Sequence, residues 1–158
     1  MEAMIRISKT DLARNTRQVI NDVLRGQAAF IESHGKPEAA IIDIVDYRIL
    51  RAVMRYHAGR PKIDASTGLS EVDLQRSGDV QGRYDQVMAH YLARSISLGR
   101  AAELLGTSWL DLRTRCLRLD VPLPVAPASP AEAQADLEMA VRWNASEALD
   151  ELVVGGRL

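Results

Sequence analysis

The side chains best suited to chemistry in this chain stand near its start, where Arg14, Arg17, Gln18, Asn21 and Arg25 follow one another at short intervals. Those intervals are mostly three and four residues, which gathers the group on one side of a helix. Arginine can fork onto a guanine edge or onto phosphate oxygens, Asn and Gln can pair with adenine, and each phosphate neutralised makes binding more sensitive to salt. The chemistry expected of this cluster is non-covalent recognition of DNA. An ordinary solvated helix face carries similar residues, so the pattern gains force only from its setting.

Candidates for covalent or metal chemistry are few. His34, His57 and His90 are far apart and share no ligand spacing with one another or with Cys116. Cys116 sits in an apolar stripe and reads as packing. No phosphate-cradling glycine loop is present. The sequence therefore predicts no catalytic residue, no metal, no cofactor and a chain that is not an enzyme.

Composition and charge narrow the partners. Apolar residues make up 47% and aromatic ones 4%, so a core must be built from Leu, Ile, Val and Ala. Small cores of that kind often depend on a partner subunit. The formal charge of −1 hides an asymmetry. Residues 1–58 carry nine Lys/Arg against seven Asp/Glu, residues 84–119 five against three, and residues 120–158 two against seven. A basic front and an acidic rear suggest polyanion binding at one end and a different partner at the other. With a single cysteine, no internal disulfide can form. No signal segment and no run of eighteen apolar residues occurs, and the chain is expected to be cytoplasmic and off the membrane.

The elements that must position the basic stripe are legible. A strand from Met4 to Ile7 leads to Ser8 as N-cap, with Asp11 three residues on, and then to a helix from Lys9 to Arg25. On its apolar side fall Leu12, Thr16, Val19, Ile20 and Val23, and Gly26 supplies the stop. Strands over Ala29–His34 and Glu38–Ile44 follow, joined by a turn containing Gly35 and Pro37, and Asp46 is expected to cap a helix from Tyr47 to about His57. The fold class is α+β, with an N-terminal β-α-β-β-α unit too small to bury both faces of its sheet. A homodimer is the simple remedy.

Ile7-Ser8, Asp11-Leu12-Ala13-Arg14-Asn15, His34-Gly35-Lys36-Pro37, Ala39-Ala40-Ile41-Ile42 and Asp46-Tyr47 together resemble the Phd/YefM antitoxin family over residues 4–57. That resemblance implies a dimer whose paired N-terminal units bind palindromic operator DNA. It assigns the DNA contacts to Arg6, Lys9, Arg14, Arg17, Gln18 and Asn21. One departure is Ala13, where many members carry Arg.

Residues 59–83 are rich in turn signals and read as a linker, with about one helical turn over Ser70–Gln75. Helices are then expected from Tyr84 to about Arg94, from Leu98 to Leu105 under a Ser97 cap, and from Trp109 to about Leu119 under a Ser108 cap. Ala102, Gly106 and Leu112 stand where a helix-turn-helix needs a small residue, a positive φ and an apolar side chain. The run Ser97-Leu98-Gly99-Arg100-Ala101-Ala102-Glu103-Leu104 with Val121-Pro122-Leu123 resembles small helix-turn-helix antitoxins found beside PIN-domain ribonucleases, over residues 84–125. Leu110, Asp111, Thr114, Leu117 and Arg118 are expected on the outer face of the last helix, where DNA and protein both remain open as partners.

The acidic tail, residues 126–158, begins with a capping box at Ser129-Pro130-Ala131-Glu132 and continues as a helix to Trp143, with a second short helix from Asn144. Its apolar stripe can bury against its own domain or in a partner's groove. The resemblance makes that partner a toxin, a PIN-type ribonuclease by preference, met by Leu137, Val141, Arg142 and Trp143. The reading is an antitoxin of a toxin–antitoxin pair that neutralises its toxin and represses its own operon as a dimer. The alternative is a stand-alone dimeric transcription regulator, and an adaptor that binds only proteins is a third possibility.

Overall fold

The computed structural model describes residues 4–76 and 78–123, and beyond them Pro130, Ala133, Gln134, Leu137, Glu138, Val141 and Arg142. The protein is α+β, a three-stranded sheet followed by helices, and divides into two compact units, Met1–Leu50 and Arg51–Leu158.

Unit 1 opens with β1 (Met4–Ser8), which runs directly into α1 (Lys9–Leu24). Ser8 has extended backbone and its Oγ accepts from the Asp11 N–H at 3.0 Å, while its hydroxyl donates to the Asp11 carboxylate at 2.7 Å. One orphan N–H of the first turn is thereby satisfied. The helix ends as the glycine foretells: Gly26 has φ 96°, its N–H bonds the Val23 carbonyl, and Gln27 reaches back to Asp22. Inside it, Asn15 departs from helical geometry at φ −120° and ψ 25°, kinking α1 between Arg14 and Thr16.

β2 (Ala28–Ser33) pairs parallel to β1 and antiparallel to β3 (Lys36–Ile41), giving the order β1-β2-β3. Ile5, Ile7, Leu12 and Ile41 pack against a buried cluster of Val19, Val23 and Ala29, so α1 covers the sheet face that bears Ile5 and Ile7. Ile20 departs from expectation, being 40% exposed, and Thr16 is also exposed, its hydroxyl returning to the Leu12 carbonyl. Two valines one turn apart suffice to fill the contact with β1 and β2.

The hairpin is tighter than the sequence suggests. The loop is His34-Gly35 alone, with φ 51° and 73°, and Ser33 pairs with Lys36. Two successive positive φ values are what a two-residue hairpin turn requires. Pro37 consequently lies inside β3, tolerated because β3 is an edge strand. That strand also ends early, at Ile41, because Asp43 takes the capping role expected of Asp46: its carboxylate accepts from the Val45 and Asp46 N–H groups at 2.8 and 3.3 Å. α2 then runs from Ile44 to Gly59, three residues ahead of the predicted start. Asp46 is instead buried, at 4% exposure.

In unit 2 the region read as a linker carries α3 (Glu71–Gln75), with a full capping box between Ser70 and Asp73 and a buried Leu74. Arg83 holds Glu71 at 2.7 Å and the Leu104 carbonyl at 2.6 Å, while Arg100 donates to Leu69. α4 (Val80–Leu92) starts four residues early because Asp79 caps it. α5 (Leu98–Leu105) and α6 (Trp109–Arg118) begin at the predicted serines. α5 packs on both α4 and α6, with Val87, Met88, Leu104, Leu112 and Cys116 almost fully buried. Each large apolar side chain so buried stabilises the unit by about 1.5–3 kcal/mol. Tyr91 adds a hydrogen bond to the Pro122 carbonyl at 2.9 Å.

The turn between α5 and α6 is fixed by Gly106 at φ 68°, where Gly106 N–H bonds Glu103 and Thr107 N–H bonds Ala102. α4 and α6 stop by the same reversal at Arg94 and Asp120, with φ 63° and 54°. A Cβ at Gly106 meets open space, so its cost is backbone strain alone. Gly106→Ala is expected to destabilise the protein by about 1–2 kcal/mol, and Leu112→Ala by about 2–5 kcal/mol. Urea unfolding followed by circular dichroism measures both, and an unchanged Gly106→Ala protein would contradict a left-handed turn.

Candidate nucleic-acid interface

The buried valines of α1 orient its other side. Because Val19 and Val23 face the sheet, Arg14, Arg17, Gln18 and Asn21 turn outward, and all four are exposed. Arg14 and Arg17 make no ion pair among the described residues, and Asn21 likewise keeps its side chain free there. Gln18 is engaged: its amide donates to both Asp22 carboxylate oxygens, at 3.0 and 3.1 Å. Asp22 also lies 3.9 Å from Arg25.

The other two candidates are paired, and one lies elsewhere. Arg6 alternates with Ile5 and Ile7 along β1, so it stands on the sheet face away from α1. There its guanidinium is 3.4 Å from Glu32, whose Oε1 is buried and gets charge attraction without hydrogen-bond alignment. The structure thus separates Arg6 from the α1 stripe it was grouped with. Lys9, the first residue of α1, forms an ion pair with Glu38. The sheet register slips between Ile31 and Glu32, leaving Glu38 without a partner on β2, and such a bulge re-aims a side chain. The Lys9 ammonium, by hydrogen bond and by charge, holds the Glu38 carboxyl below the usual carboxylate range, and Ser33 adds a hydrogen bond.

Glu32, Glu38 and Asp22 are the carboxylates that Arg6, Lys9 and Gln18 meet. For Asp22 the i+4 spacing from Gln18 was a visible signal. For the glutamates there was none, since the pairing follows from strand register.

In unit 2, α6 presents Leu110 and Leu117 at 39% and 53% exposure, with Arg113 and Thr114 beside them. Trp109 is half-buried, its ring under the Arg113 guanidinium at 5.8 Å and its Nε1 buried with no hydrogen-bond partner. Asp111 is occupied: it accepts from Thr107 Oγ1 and from Arg115 Nε, both at 2.9 Å. Burial pushes its carboxyl up, but the hydrogen bonds from Arg115 and Thr107 and the charges of Arg115 and Arg118 outweigh this and leave it lowered. Thr107 and Arg115 are therefore both tied to one carboxylate.

Of the tail residues, Leu137, Val141 and Arg142 are helical and exposed. Trp143, the capping box around Ser129 and the second short helix lie outside the described residues.

A cavity of about 470 Å³ in unit 2 is lined by Arg55, Tyr56, Ile63, Asp85, Gln86 and His90, among others. Arg55 and Asp85 neutralise each other at 2.9 Å. His90 Nδ1 lies 2.6 Å from Ser95 Oγ, and burial lowers the imidazole's pKa against the opposing pull of Asp73. Among the described residues no acid hydrogen-bonds that imidazole, so the pair lacks the orienting third group of an activated nucleophile. No cluster of metal-ligating side chains occurs among the described residues, and none of their helices is long and apolar enough to cross a membrane.

Comparison of the chain with protein-family models, with curated proteins and with solved structures finds no match.

The Asp111 contacts carry a pH dependence. A carboxyl with a lowered folded-state pKa stabilises above its unfolded value and ceases to do so as pH falls through the folded one. Asp111→Asn is expected to lower the thermal midpoint at pH 7 and to have a smaller effect at a pH below the ordinary Asp value of about 3.9, low enough to protonate the folded-state carboxyl. Equal losses at the two pH values would count against an ionised anchor.

Proposed function

We propose that this chain is the antitoxin of a toxin–antitoxin pair, binding operator DNA through α1 as a dimer and neutralising a ribonuclease-type toxin, PIN-domain by preference, through its acidic tail. The observation that carries the DNA half is the outer face of α1, where Arg14, Arg17 and Asn21 stand exposed and free of intramolecular partners among the described residues. Free forked donors on a helix held firmly by Val19 and Val23 are suited to base edges and phosphates.

Dimerisation is supported by apolar exposure in unit 1. Met4, Ile20, Leu24, Ile44 and Tyr47 are 40–61% exposed, and β3 is exposed from Lys36 to Ala40. An exposed edge strand, like exposed large apolar side chains, is surface that natural proteins cover. A second copy of the unit would cover it and place two α1 helices on one duplex. Leu137 and Val141, at 59% and 60% exposure, support a partner for the tail, and its negative charge suits a basic protein groove.

Selecting duplexes from a random pool with the full chain and titrating the winners at several salt concentrations tests the DNA reading. Arg14→Ala and Arg17→Ala are each expected to cost about 1–3 kcal/mol where the side chain reads a base, or to flatten the logarithmic salt slope by about one where it meets a phosphate. Absence of salt-dependent binding would reject the operator role. Removal of residues 126–158 is expected to leave DNA affinity intact and abolish capture of a nuclease-like protein from lysate at high salt. If capture yields the chain alone while DNA binding persists, the protein is a stand-alone regulator.

A further inference from the structure

The cations around α1 are not equivalent, and the difference has a consequence for how tightly this face can hold a polyanion. Lys9 is the first residue of α1, next to the Ser8 cap, where the unbonded N–H groups of the first turn also favour negative charge. Its partner Glu38 comes from the bulged position of β3, twenty-nine residues away in the chain, and the two side chains keep 63% and 47% of their surface exposed. An exposed ion pair is held weakly, by a factor of about two to five in an equilibrium, so it exchanges readily for a stronger anion. Arg14 and Arg17, by contrast, meet no carboxylate among the described residues.

We infer that Glu38 is an internal stand-in for a DNA phosphate: it occupies the Lys9 ammonium in the free protein, is displaced by the backbone of bound DNA, and so sets the affinity of the α1 face. The inference rests on the DNA-binding reading of α1. When a phosphate takes Lys9, Glu38 loses its cation and must recruit one from solution. That uptake offsets one of the counterions released from DNA, so the pair lowers both affinity and salt sensitivity. The β3 bulge then has a function, since in an unbroken register this carboxylate would be aimed elsewhere.

The experiment is a double-mutant cycle on the full chain, read by fluorescence anisotropy on a labelled duplex between about 50 and 200 mM salt, the range over which phosphate contacts dominate. Glu38→Gln is expected to tighten binding by about two- to fivefold at the lower salt and to steepen the logarithmic salt slope by up to about one per protomer. Lys9→Gln alone weakens binding, and in that background Glu38→Gln brings little or no further gain. Exposure of both side chains leaves the fold unaffected, which far-UV circular dichroism of each variant checks. A gain from Glu38→Gln that is undiminished in the Lys9→Gln background would overturn the inference, because it would come from the general field and not from the pair. No gain in a wild-type protein that does bind DNA would also overturn it while leaving the DNA reading intact. A wild-type protein with no salt-dependent DNA binding would overturn both.

Discussion

The contact of Val19 and Val23 with Ala29, Ile5 and Ile7 is the constraint from which unit 1 follows. A helix that buries one stripe against a sheet has no freedom left about its own axis, so the position of every other side chain on it is decided. Arg14, Arg17, Gln18 and Asn21 face solvent because the valines cannot. The same contact is small. Two buried valines and an alanine form it, and β3 and several large apolar side chains of the unit stay open to water.

Electrostatics then divides what packing has placed. A carboxylate on a neighbouring strand or turn already satisfies Arg6, Lys9 and Gln18, whereas Arg14, Arg17 and Asn21 meet none among the described residues. Exposed pairs of this kind add little stability. On the proposed DNA-binding reading their larger effect is on binding, since a polyanion must compete with them.

Unit 2 depends on a different device. Its helices stop where single residues enter the left-handed region, at Arg94, Gly106 and Asp120, and restart on serine or aspartate caps. These reversals bring the apolar faces of α4, α5 and α6 onto one core that includes the fully buried Cys116. With that core closed inward, Leu110 and Leu117 are left outside with Arg113 between them, a surface that is apolar and basic at once.

What the sequence determined by itself was local. Ser8, Ser97 and Ser108 fix helix starts because a side-chain oxygen meets backbone groups three residues away, and Gly26 and Gly106 fix stops because only a positive φ fits there. Helical period likewise disclosed the buried valines and, opposite them, the basic stripe. It misjudged the competition between near-equal signals: Asp43 outranks Asp46 as a cap, and His34-Gly35 makes the turn while Pro37 joins a strand edge. The pairings of Lys9 with Glu38 and of Arg6 with Glu32 were decided only by tertiary structure. Strand register and the hand of the sheet set which distant charges meet, and neither leaves a local mark in the order of residues.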